Sequence, residues 1–179
     1  MVAALPACGS GTPTQPVTIS TGVSEIHVEM TDPAGDAVRD SRVQTSPDLQ
    51  QALVDVAGGS VTFRLRTVPG TFNAALTRFT IDLDIDQNSA TGTSGVEYYI
   101  FVFPSGGRGA DVARATANSY TVVGNVPVNY GANGSDVVVP LSMLGNDDGR
   151  FDYLVRVYSE EALQTVFDVM PNQGFAKAQ

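Results

Sequence analysis

The sequence predicts an all-β chain: a jelly-roll-like antiparallel β-sandwich of about nine or ten strands. Three observations lead there. Eighteen glycines and ten prolines cut the 179 residues into short pieces that disfavour long helices. Between these breaks, apolar and polar residues alternate with the period of two that a half-buried strand requires. Turn signals recur about every 8–12 residues, the spacing of sandwiches and barrels. With 42% hydrophobic residues the chain can fill a core, and its length fits one domain with a tail.

The chain opens on Met1 to Ala7, small and apolar, and reaches Leu5-Pro6-Ala7-Cys8. That run resembles a bacterial lipoprotein cleavage box with Cys8 as the lipidated residue, although seven residues without a basic start are short for a signal peptide. Gly9 to Pro16 has the composition of a flexible tether. Residues 1–22 are therefore expected to be a truncated leader and tether, 23–175 a single sandwich domain, and 176–179 a frayed tail. Cys8 is the chain's one cysteine, so no intramolecular disulfide exists.

Ile26, Val28 and Met30 alternate with Glu25, His27 and Glu29, which predicts a first strand. Thr31 to Asp36 is a turn. Gln51–Val56 and Ser60–Thr67 form a hairpin around Gly58-Gly59. Val96 to Phe103 is apolar on both faces, as in a strand covered from both sides. Asp111–Ala117 and Ser119–Val123 are edge-type strands, and Val126–Tyr130 is a short one. Asp136 to Leu141 is a strand stopped by Pro140, then a one-turn helix at Leu141–Leu144 ends at Gly145. Phe151–Tyr158 is the last strong strand, and Thr165–Asp168 a final short one.

The most informative stretch lies between these, from Phe79 to Tyr99. Phe79, Ile81, Leu83 and Ile85 fall on one face of a strand, and Thr80, Asp82, Asp84 and Asp86 on the other. Aspartate is disfavoured in strands, and like charges ~7 Å apart on one face call for a compensating charge. Asn88, Ser89, Thr91 and Glu97 add oxygen donors in the following turn. Hard oxygen donors converging on a loop suit calcium, which takes six to eight of them. The arrangement is not an EF-hand, because Ala90 and Thr91 occupy the positions where that loop needs a ligand and its glycine. The competing reading is a solvated acidic strand face with a polar turn.

Several segments together resemble a known family: Asp32-Pro33-x-Gly35-Asp36, Pro47-Asp48-Leu49, Asp84-x-Asp86-x-Asn88-x-x-Thr91-Gly92, Gly95-Val96-Glu97-Tyr98, Val139-Pro140-Leu141-Ser142-x-Leu144-Gly145 and Asp168-x-x-Pro171-Asn172-x-Gly174. In this order they resemble the bacterial extracellular sandwich domains related to family 9 carbohydrate-binding modules and the DOMON fold. The resemblance covers roughly residues 28–175 and implies a jelly-roll-like sandwich, structural calcium and often a carbohydrate ligand. Sugar-binding members stack their ligand on tryptophan, and this chain has none. Tyr120, Tyr130 and Tyr158 are the candidate substitutes, since stacking needs only a flat apolar face.

Catalysis finds little support. The single histidine, His27, is the only base available to a serine nucleophile, and zinc would want more imidazoles or thiolates. DOMON relatives that bind haem use histidine or methionine, so His27, Met30, Met143 and Met170 are the only haem-ligand options. Net charge −9 argues against nucleic acid and anionic membranes. The expectation is a non-catalytic, calcium-stabilised binding module at the bacterial surface or secreted, with glycan or cell-envelope proteins as partners. Asp82, Asp84, Asp86, Asn88, Thr91 (through its carbonyl) and Glu97 are the expected Ca2+ ligands, with Asp32, Asp36 and Asp168 as a second, weaker site. The rival expectations are a structural or assembly protein without a small ligand, and a carbohydrate-active or redox enzyme.

Overall fold

A computed structural model describes residues 25–179, so the leader, the tether and Cys8 lie outside the described residues. Two antiparallel sheets pack face to face. The strands are β1 Ile26–Thr31, β2 Leu49–Ala57, β3 Ser60–Thr67, β4 Thr77–Asp84, β5 Tyr98–Val102, β6 Ala110–Thr116, β7 Ser119–Val126, β8 Val128–Tyr130, β9 Gly134–Pro140, β10 Phe151–Ser159, β11 Asp168–Met170 and β12 Ala176–Ala178. One sheet has the order β1-β2-β3-β9-β8. The other runs β11-β10-β4-β5-β6-β7, with β12 also on β10. Among the described residues no helix is long and apolar enough to cross a membrane.

Alternation decides the core. Val54 and Val56 from β2, Phe63 and Leu65 from β3, and Phe79, Ile81 and Leu83 from β4 all turn inward and are buried. Phe63, Phe151 and Tyr153 meet at the centre with ring centroids 6.0–6.3 Å apart. Burial pushes the Tyr153 hydroxyl up to about 12, because the phenolate would lose its hydration.

The turns follow the sequence closely. Gly58 and Gly59 have φ of 58° and 78°, the two positive values that a two-residue hairpin turn needs. A 3-10 turn at Leu141–Leu144 ends on Gly145 in the left-handed conformation. His27 pairs with Asp55 across the β1–β2 register, as a polar-face residue of a strand.

Four expectations need correction. Twelve strands form among the described residues rather than nine or ten, and one of them, β12, is too short to show a period. The tail does not fray: β12 pairs with Phe151–Tyr153 and buries Ala178 completely. The late short strand starts at Asp168 rather than ending there. The acidic strand stops at Asp84, after which Gln87 adopts φ 54° and the chain turns.

Candidate metal centre

The end of β4 sets the first site. Asp84 is its last residue and is buried, Asp86 lies in the turn, and Glu97 returns just before β5. One carboxylate oxygen from each lies within 4.8 Å of the others. Asp84 Oδ1 and Asp86 Oδ1 both accept the Asn88 N–H, at 3.0 Å each. Glu97 Oε2 accepts from the Ile85 N–H at 3.1 Å, which turns its other oxygen toward the loop. Burial, then the charges of Glu97, Asp86 and Asp152, raise the Asp84 pKa.

Thr91 joins this site through its hydroxyl. Its Oγ1 lies 2.9 Å from Asp86 Oδ1, 2.8 Å from Glu97 Oε1 and 2.8 Å from the Asn88 carbonyl. A hydroxyl has one proton to donate, so it can satisfy only one of these acceptors at a time. The Thr91 carbonyl, the expected ligand atom, instead accepts from the Gly95 N–H at 2.9 Å. The Asn88 side-chain oxygen accepts the Ala90 N–H at 3.1 Å, so it closes its own turn.

Backbone geometry holds this loop shut. Gly92 has φ +54°, and a Cβ there would sit 2.2 Å from the Val96 carbonyl and 2.5 Å from Glu97 Oε1. Any side chain would therefore displace the carboxylate.

Asp82 does not join the three. It points to the same face as Asp84 but forms an ion pair with Arg156, which stands on β10 beside Thr80. The row's compensating charge at this position is a guanidinium. Burial raises the Asp82 pKa and Arg156 opposes the rise. Asp152 is the residue that sequence reasoning missed. It faces Asp84 across β4–β10 and accepts from Gln87 Nε2 at 3.1 Å.

The second cluster holds the three expected acids and has a fourth acid nearby. Asp32, Asp36 and Asp168 also bring carboxylate oxygens within 4.8 Å of one another. Asp48 adds a fourth charge: its field raises both Asp32 and Asp168. Asp48 Oδ2 accepts the Gly35 N–H at 2.7 Å, while its Oδ1 is buried with no protein partner. Asp32 Oδ2 is likewise buried and unpartnered. Asn172 Nδ2 lies 2.9 Å from Asp32 Oδ1 and 3.4 Å from Asp36 Oδ2. Burial, then Asp168, Asp36 and Asp48, push the Asp32 carboxyl up to about 7. The signal for them was that Asp48 stands in Pro47-Asp48-Leu49 and Asn172 four residues after Asp168, both within segments that resemble the family.

Of the candidate aromatics, Tyr120 is half exposed on β7. Tyr158 lies on β10 opposite Arg78, and burial raises its pKa. Tyr130 is committed elsewhere, donating to the Phe103 carbonyl at 2.6 Å.

No protein-family model matches the chain, and no curated protein does.

Proposed function

We propose that the chain is a non-catalytic, calcium-stabilised β-sandwich of the bacterial cell surface or exterior, working as a binding module for a glycan or an envelope partner. One observation carries the reading. In the second cluster Asp32, Asp36 and Asp168 converge and the nearby Asp48 adds its charge, with too few donors, leaving Asp32 Oδ2 and Asp48 Oδ1 buried and unpartnered. Unpaired buried carboxylate oxygens are unfavourable, and a divalent cation satisfies several at once. Every available donor is a hard oxygen, which fits Ca2+ rather than a thiophilic metal. Asp32, Asp36 and Asp168 would hold one ion, with the charge of Asp48 beside them. Asp84, Asp86 and Glu97, with the Thr91 hydroxyl, would hold another. Cys8 would supply a lipid anchor.

The ions would act as staples between loops, with no substrate chemistry. At extracellular-module affinities of about 10⁻⁴–10⁻³ M, roughly 10 mM calcium stabilises each site by about 1.4–2.7 kcal/mol. That corresponds to a Tm rise of ~3–10 °C per site. Thermal melts in calcium and in excess chelator test this, and equal melting in both conditions rejects the reading.

A second reading, an assembly protein that docks to envelope partners, draws on β7. This edge strand carries no charge and exposes Tyr120, Val122 and Val123, where natural edges usually carry protection. Concentration-dependent sedimentation at millimolar calcium would favour it.

A further inference from the structure

We propose that the outer face of the seven-stranded sheet, along β5, is the binding surface for an uncharged glycan. This rests on the binding-module reading and names its ligand class. Tyr98, Ile100 and Val102 fill the core from β5. The alternate residues Tyr99 and Phe101, with Phe103 just beyond the strand end, therefore point outward and are only half buried. Together they form an aromatic row ~14 Å long, on a face that no further sheet or helix of the described residues covers. The row has the length of an oligosaccharide rather than of one sugar.

The row is organised. Tyr99 and Phe101 rings lie 5.7 Å apart at 18°, and Phe101 meets Tyr120 of β7 at 4.9 Å. Ala113 on β6 makes this reach feasible. It is opposite both Tyr99 and Val122 and is fully buried beneath its neighbours, so the aromatic side chains close over a small residue. Phe101 supports Tyr120 from one side, and the tyrosine remains 50% exposed.

Three ion pairs flank the rings. Arg156 pairs with Asp82, Arg78 with Glu160, and Arg108 with Asp111. Arg78 and Arg108 also lie over the Phe103 ring, at 4.8 and 4.4 Å from its centroid. Each pair is neutral, in a chain of net charge −9. Asp82, opposite Tyr99 in the register, is 2% exposed, and its Oδ1 is buried beneath this face without a protein donor.

Flat apolar rings bordered by fixed, planar hydrogen-bonding groups complement a pyranose, which has C–H faces and a rim of hydroxyls. An anionic polysaccharide is the poorer fit, because each guanidinium already has its carboxylate. The face therefore offers hydrogen bonds without surplus charge.

Affinity electrophoresis of the full chain tests this with soluble neutral glucan, xylan and mannan, and with polygalacturonate and alginate as acidic polymers. The expected result is retardation by at least one neutral polymer. Tyr120→Ala should weaken it about tenfold with an unchanged melt, while Tyr120→Phe keeps it. Phe101→Ala should weaken it likewise. The proposal is overturned by no retention on any neutral polymer, by stronger retention on the acidic ones, or by Ala variants that bind like the parent chain. Calcium-dependent melting is scored on the same samples. A retained calcium shift without glycan binding removes this face alone, and loss of the shift removes the metal reading instead.

Discussion

Replacing Arg156 with methionine would strand Asp82. The aspartate side chain is 3% exposed and the arginine 31%, so the carboxylate depends on its partner far more than the guanidinium does. Removing one member of a buried pair costs about 3–5 kcal/mol. The partial exposure of Arg156 allows water to screen the pair, which puts the expected loss near the lower end, at about 3 kcal/mol. For a chain of this size that is a fall in Tm of ~6–12 °C. Converting both residues, Asp82→Leu with Arg156→Met, should restore stability to within about 1 kcal/mol of the parent, because no charge is left buried. The assay is urea denaturation of the parent chain, both single variants and the double variant, with slopes compared before midpoints. The pKa of Asp82 is already raised by burial, and without Arg156 it should rise further. In the single variant the folded state then holds a proton that the unfolded chain has released, so its deficit should shrink as pH falls. Two results refute the reasoning: a loss below about 1 kcal/mol for Arg156→Met, or rescue of that variant by calcium, which would make Asp82 a metal ligand.

Further outcomes follow from the two clusters. Without calcium, the folded-state pKa of Asp32 is about 7 against 3.8 for the free carboxyl. Stability from its bound proton is present below the lower value and lost as pH rises toward the higher one. The Tm of chelated protein should therefore fall between pH 4 and 7 through this group, and added calcium should remove that fall. Asp48→Asn should raise the chelated Tm by relieving repulsion and also reduce the calcium response; a parallel loss in both conditions would contradict this. Gly92→Ala should destabilise by on the order of 2 kcal/mol or more, since φ +54° and the Val96 carbonyl both oppose a Cβ. Equilibrium denaturation measures that loss.

The sandwich was legible because its evidence is local. Alternation in β1, β3 and β10 and the Gly58-Gly59 turn each declare a strand or hairpin within a few residues. The acidic loop was legible for the same reason, since Asp84, Asp86 and Glu97 lie within fourteen positions of each other. What failed to show was long-range pairing. Arg156 answers Asp82 from 74 residues away, and no spacing rule links them. Asp48 reaches the second cluster because β2 begins there, and Asp152 faces Asp84 because β10 lies beside β4. β5 misled differently: apolar residues on both faces suggested a covered strand, whereas its outer row is only half covered. β12 was hidden because Ala176–Ala178 is too short to carry a period.

The second cluster also bears on the order in which the chain assembles. It joins the segment around Asp32 and Asp48 to the segment around Asp168 and Asn172, across separations of 119 and 140 residues. Contacts so distant in sequence carry a large loop-closure cost. Where such contacts form after the rate-limiting barrier, an ion held by them leaves the folding rate nearly unchanged and slows unfolding. Calcium at this position would act as a latch on the finished molecule, extending its folded lifetime.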